Sequence, residues 1–177
     1  MFTLGGSSDG EAAAVVTDLL TGRVQRPIPL PGSPDEFAGQ LQASGRLYAY
    51  RLSEGAVFEI DPVIAQVLGS VQLDAGGGSP PSGSETGLLV ATSQGSLIYA
   101  IVSSGGIASL RTDQFQLVNR LAPDRRFRSI SVSSDGSLLY TIEIDGGYSV
   151  FQASSGQQML HRSNVNASAL LQANAGE

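Results

Sequence analysis

Residues able to do chemistry are few in this chain, and their scarcity narrows the reactions worth considering. There is one histidine, His161, and there is no cysteine. A single imidazole cannot build a multi-histidine metal site, and a nucleophilic triad of the usual form finds no orienting partner for that ring in the sequence. His161 is therefore read as a structural or solvent-facing residue on an outer strand. The absence of cysteine excludes disulfides, thiolate metal sites and thiol nucleophiles, and it leaves the redox compartment undetermined. The aspartates Asp9, Asp18, Asp61, Asp74, Asp124, Asp135 and Asp145 fall mostly at turns, where a carboxylate bonds its own backbone. They lack the alternating acidic spacing of a calcium loop. Only several loops converging on a channel would turn them into a cation site.

One dense cluster of charge remains. Arg120, Arg125, Arg126 and Arg128 surround Pro123-Asp124, and guanidinium groups at that density suit a carboxylate or phosphate on a ligand or partner. The competing reading is a solvated loop in which they pair with Asp124. Gly76-Gly77-Gly78 is no phosphate loop, because no Gly-Lys-Ser/Thr follows and no helix opens there. Asn166-Ala167-Ser168 matches the glycosylation tripeptide, a pattern common by chance. No catalytic, metal or cofactor set is assigned.

Composition bounds the partners. At 177 residues with 41% hydrophobic content the chain has the size and composition of a single soluble domain. No apolar run approaches the roughly 20 residues that span a bilayer, so membrane insertion is not expected. The start, MFTLGGSSDGE, has neither a basic nor an apolar segment of a secretory leader, which makes the cytoplasm the default expectation. All ten basic residues are arginine, a bias expected of a GC-rich, bacterial genome. The net charge of −6 argues against nucleic acid, whose affinity comes mainly from phosphate neutralisation.

The elements that must position these residues are strands. From Arg128 to Arg162 apolar residues alternate at Ile130 and Val132, at Leu138, Tyr140, Ile142 and Ile144, and at Tyr148 and Val150. Ser134-Asp135-Gly136-Ser137, Asp145-Gly146-Gly147 and Ser154-Ser155-Gly156 supply turns between them. That outline repeats. Tyr48, Tyr99 and Tyr140 each follow a glycine turn (Gly45, Gly95, Gly136) and each precede a glycine by seven residues, at Gly55, Gly106 and Gly147. The tyrosine spacings are 99 − 48 = 51 and 140 − 99 = 41, around the roughly 40 to 45 residues of a four-stranded propeller blade. The longer interval contains the Gly/Pro/Ser-rich insertion from Asp74 to Thr86, expected as a mobile loop.

These repeats predict an all-β β-propeller of about four four-stranded meander blades. The units fall at approximately 1–35, 36–86, 87–127 and 128–163, with strands near 37–43, 46–52, 56–61 and 65–73 in the second and 87–93, 96–102, 107–112 and 115–121 in the third. The three tyrosines are expected to be buried at equivalent positions. Val15 to Val24, with Asp18 standing 43 residues before Asp61, parallels the second unit and makes the N-terminal unit one that lacks its first strand. Residues 164–177 are then the expected closing strand, pairing with that unit within one chain or between two, unless the chain is part of a larger ring. Glu11 to Leu20 and Ala167 to Asn174 are the only helix candidates, and the first conflicts with the repeat.

The strand that ends in Asp18 before Thr21-Gly22, with its counterpart at Asp61, resembles the YVTN-type bacterial β-propeller repeats. The Tyr-Val-Thr-Asn sequence itself is nowhere intact, and Thr112 and Ala153 replace the Asp in later units. The resemblance implies a propeller and no single activity. Function is therefore expected to be that of a non-catalytic interaction or assembly module that binds a protein partner, or a second copy of itself, through its loop face. Arg120, Arg125, Arg126 and Arg128 are the expected contacts. The alternative is a propeller enzyme, a lactonase-like hydrolase or quinoprotein-type subunit with a site at the channel mouth.

Overall fold

Short alternating runs between turn residues are too brief for helices and bury a face only as strands. The structure, a computed structural model, describes residues 2–6, 10–18, 20–24, 27–74 and 88–163. Among them strands form four antiparallel sheets, with one short 3-10 turn at Pro34–Glu36. The first sheet holds β1 (Phe2–Gly6), β2 (Ala12–Val16) and β3 (Ile28–Pro29). The second holds β4 (Phe37–Ala43), β5 (Arg46–Arg51), β6 (Ala56–Asp61) and β7 (Gln66–Gln72). The third holds β8 (Leu89–Ala91), β9 (Leu97–Ile101), β10 (Ile107–Arg111) and β11 (Gln116–Leu121). The fourth holds β12 (Phe127–Val132), β13 (Leu138–Glu143), β14 (Tyr148–Gln152) and β15 (Gln158–Arg162). Strand order within every sheet follows the chain, so each is a meander, and the sheets stack face to face as blades of a β-propeller.

The tyrosines mark the register. Each is the third residue of its sheet's β5-type strand, and Tyr48 and Tyr99 have no exposed surface. Tyr48 reaches across to the Phe115 ring at 5.8 Å in the third sheet, and the Tyr99 hydroxyl points at the Ala153 carbonyl in the fourth, 3.5 Å away. These rings, with Ile98, Ala100, Ile130, Leu139 and Phe151, belong to one core shared by the second, third and fourth sheets. A smaller core joins Ala12, Ala14 and Ile28 of the first sheet to Leu47, Ala49 and Ile60 of the second. Tyr140 departs from the expected burial: it is only half-buried. The reason is positional, since no described sheet follows the fourth to cover its far face.

The first sheet explains the ambiguity of Glu11 to Leu20. Ala12, Ala13 and Ala14 favour helix by propensity, but they form β2, where Ala12 and Ala14 pack against Leu47, Ala49 and Ile60 of the second sheet. Asp18 accepts hydrogen bonds from the N–H groups of Leu20 and Thr21, as Asp61 does from those of Val63 and Ile64. β2 is thus the counterpart of β6, and the sheet has no counterpart of β4 among the described residues. Of the repeated glycines, Gly55 and Gly106 have φ of 63° and 83°, and an added Cβ would run into the Asp74 carboxylate at one and the Leu121 carbonyl at the other. At the third turn the positive φ belongs to Gly146 rather than Gly147. The insertion beyond Asp74 and the expected closing strand at 164–177 lie outside the described residues.

Candidate functional site

In a meander the connection entering each sheet and the hairpin between its second and third strands lie at the same edge, and here that edge carries most of the ionic chemistry. Into the second sheet, the Glu36 carboxylate on the connection accepts from Arg51 Nε and from Ser53 Oγ on the hairpin. Into the third, Asp74 Oδ2 accepts from Ser103 Oγ at 3.0 Å and from the Ser104 N–H at 3.2 Å. Into the fourth the signs reverse. Arg125 on the connection donates to Glu143 Oε1 at 2.9 Å at the end of β13. Arg51, Val102 and Glu143 each stand three residues after the register tyrosine, so the cation of one hairpin has become the anion of another. A repeated backbone bond accompanies the swap: the Leu52 N–H donates to the Glu36 carbonyl at 2.9 Å and the Ile144 N–H to the Arg126 carbonyl at 3.0 Å.

The arginine cluster is consequently divided rather than pooled. Arg120 on β11 is spent on its neighbouring hairpin, donating to the Gly105 carbonyl from Nε at 3.0 Å and from Nη2, and also to Ser104 Oγ. Arg125 turns inward to Glu143, and Arg128 is half-buried on β12 with an interaction of its own. Arg126 is exposed and makes no ion pair among the described residues. Pairing with Asp124, the bland alternative for this cluster, does not occur for Arg125; the deeper carboxylate wins because partial burial strengthens the charge-assisted bond.

Glu143 gathers two further groups, Ser149 and His161, that the sequence did not single out together. Ser149 Oγ donates to Glu143 Oε1 at 2.6 Å, and His161 Nδ1 lies 3.0 Å from Ser149 Oγ and 3.3 Å from Glu143 Oε1. Arg125 Nη1 also reaches Ser149 Oγ at 3.1 Å. The register explains the meeting, because Ser149 on β14 is paired with His161 on β15. A serine, a histidine and a glutamate side by side suggest nucleophilic catalysis, but the geometry is that of a carboxylate receiving donors. Ser149 has no exposed surface, and its proton is committed to Glu143. The usual relay requires histidine between acid and serine, with the hydroxyl open to substrate. The legible signal was Glu143 itself, a carboxylate at a register position held by Val102 in the preceding sheet.

A groove of about 500 Å³ opens at the opposite edge between the second and third sheets and is lined by Arg46, Tyr48, Glu59, Asp113 and Phe115. Its ionic groups are largely matched: Arg46 pairs with Asp61, Asp113 with Arg111, and the Tyr48 hydroxyl donates to Glu59 at 3.3 Å. Among the described residues no three His, Asp or Glu side chains converge as metal ligands, and no helix is long and apolar enough to cross a membrane.

No family model matches the chain, and no curated protein does. Solved structures do resemble it. Hydrazine synthase of Kuenenia stuttgartiensis superposes with a TM-score of 0.70 at 16% identity, over 91% of this chain and 48% of that one. Dihydro-heme d1 dehydrogenase NirN in complex with DHE gives 0.65 at 18% identity, over 92% of this chain and 35% of that one. The chain therefore spans about half of the first and about a third of the second. At these identities the likeness is one of fold, and that fold is the β-propeller.

Proposed function

We propose that this chain is a non-catalytic interaction or assembly module that engages a protein partner through the loop edge where the connections and hairpins meet. The observation that supports this reading is the state of Ser149: this hydroxyl, placed beside both the histidine and a carboxylate, is fully buried and already donating. The ionic residues of that edge hold loops in place, so they present a firm, charged rim rather than a reactive centre. Within the arginine cluster, Arg126, exposed and without an ion pair among the described residues, is the guanidinium available to an acidic partner. A rim charge of this kind acts mainly on association rate and salt dependence.

The test compares affinity capture from the native source by the wild-type protein and by Arg126→Gln at low and physiological salt. A partner retained by the wild type, and weakened with a shallower salt dependence in the variant, supports the module. Turnover of lactone or ester substrates that disappears in both Ser149→Ala and His161→Ala, with folding intact, would overturn it in favour of a hydrolase.

A further inference from the structure

The groove between the second and third sheets holds two departures from the repeat, and both line it. Glu59 opposes Tyr48 across β5 and β6, whereas Ser109 opposes Tyr99 and Val150 opposes Tyr140 in the next two sheets. Of these three sheets the second alone sets a carboxylate beside its tyrosine. Phe115 is the other departure. Corresponding turns of the four sheets end on a residue of positive φ: Gly22 at 66°, Ala65 at 55°, Phe115 at 43° and Gly156 at 71°. Glycine takes that conformation freely, while a bulky side chain there is strained. The third sheet nonetheless holds a phenyl ring at this turn, half-buried and 5.8 Å from the Tyr48 ring.

Charge in this groove does not balance. The Arg46 guanidinium is taken by Asp61, whose carboxylate also accepts from the Val63 and Ile64 N–H groups. Asp113 receives both Nε and Nη2 of Arg111, at 3.0 and 2.6 Å. Glu59 accepts from the Tyr48 hydroxyl at 3.3 Å and makes no ion pair among the described residues. Burial, and after it the Glu59 charge, push the Tyr48 phenol above its usual range, so it donates without neutralising the carboxylate. Because Glu59 is half-buried, solvent and salt screen its charge incompletely. Leu68, 44% exposed, adds apolar surface to the lining.

We propose that this groove binds a small organic monocation, an ammonium or guanidinium group on an aliphatic or aromatic stem. The charged head pairs with Glu59 and meets the Phe115 ring in a cation–π contact, while the stem covers Leu68. A groove of about 500 Å³ suits a ligand of that size. An anion would meet the unmatched carboxylate, and a divalent metal would find too few oxygens beside Glu59, since no three His, Asp or Glu side chains converge among the described residues. The site stands at the edge opposite Arg126 and does not rest on the partner reading above.

The probes are butylguanidinium and benzylammonium, with butylurea as a neutral counterpart, titrated into the intact chain and followed by calorimetry or NMR shifts. Both cations are expected to bind saturably, with butylurea about ten-fold weaker. Glu59→Gln should weaken the cations about ten-fold and abolish their advantage over butylurea. Phe115→Gly relieves the strained turn, so the strand signal in circular dichroism should persist while cation affinity falls about three-fold. Arg126→Gln should leave every titration unchanged, which separates this site from partner binding at the loop edge. The comparison of cations with butylurea on the wild type stands even if Glu59→Gln folds poorly. No saturable cation binding by the folded wild type, equal affinity for butylurea, or undiminished cation binding in folded Glu59→Gln would each overturn the proposal. So would binding of a guanidinium only when a peptide carries it, because the groove would then belong to a protein interface.

Discussion

Tyr99 and Tyr140 stand at the same register position in consecutive sheets, yet Tyr99 has no exposed surface and Tyr140 is only half-buried. Strand, turn and neighbours along the chain are nearly the same for both. The difference lies in what comes next in space: Tyr99 is covered by the fourth sheet through Phe151 and Ala153, whereas the corresponding face of the fourth sheet meets no described sheet. Burial of a repeated residue is thus a property of the seam and not of the repeat. The ionic latches teach the same lesson with opposite signs. Glu36 with Arg51, and Arg125 with Glu143, tie equivalent connections to equivalent hairpins, and the repeat conserves the geometry while exchanging the charges.

The sharpest way to break the comparison is to truncate both tyrosines. Tyr99→Ala should cost about 3–5 kcal/mol, as for large aromatics in cores, and Tyr140→Ala roughly 1–2 kcal/mol because less ring area leaves water on folding. Equal losses in urea unfolding would show that both faces are sealed alike.

Next in size are the latches. Arg125→Ala takes the guanidinium from a carboxylate that is largely buried and leaves it to Ser149 and His161, and a loss of about 2–3 kcal/mol is expected. Exchanging the pair, Arg125→Glu with Glu143→Arg, should recover part of that loss, since the equivalent latch of the second sheet works with those signs. No recovery in a double-mutant cycle would mean that Ser149 and His161, rather than the ion pair, set the energy of the site.

A smaller effect isolates ring burial from hydroxyl bonding. Tyr50 is fully buried in the seam between the second and third sheets, and its hydroxyl has no hydrogen-bond partner among the described residues. Tyr50→Phe is therefore expected to change stability by less than about 1 kcal/mol. A larger loss in thermal unfolding would reveal that the hydroxyl is held.

The least effect belongs to the half-buried Glu36–Arg51 latch and is seen only against pH. The Arg51 guanidinium, ahead of bonds from Ser53 and Ser33, holds the Glu36 carboxyl below the usual glutamate range. A depressed folded-state value means that this contribution is present above the unfolded glutamate value and fades as pH falls through the lowered one. Glu36→Gln should accordingly flatten the acid limb of Tm against pH, while leaving the shape of the curve near neutrality unchanged. An identical acid limb would show that the pair contributes nothing measurable.

Much of the architecture was legible because it is local. Period-two alternation and turn glycines place the strands of the second and third sheets within about two residues of the ranges found, and Asp18 and Asp61 announced matching turns through short-range Asx bonding. The four arginines were visible as a cluster on the connection between third and fourth sheets, but not their separate fates. Sequence adjacency put Asp124 beside Arg125, and only the fold brought Glu143, Ser149 and His161 there from 18, 24 and 36 residues away.

The amino-acid sequence by itself determined that this chain forms meanders, where they turn, and which residue heads each repeat, because backbone sterics and side-chain alternation act over a few residues. The tertiary structure alone decided which repeated tyrosine is sealed, which arginine faces solvent, and that the lone histidine serves a buried carboxylate. Those outcomes depend on which sheet faces which, and packing between sheets selects partners by shape and desolvation across distances that no local pattern records.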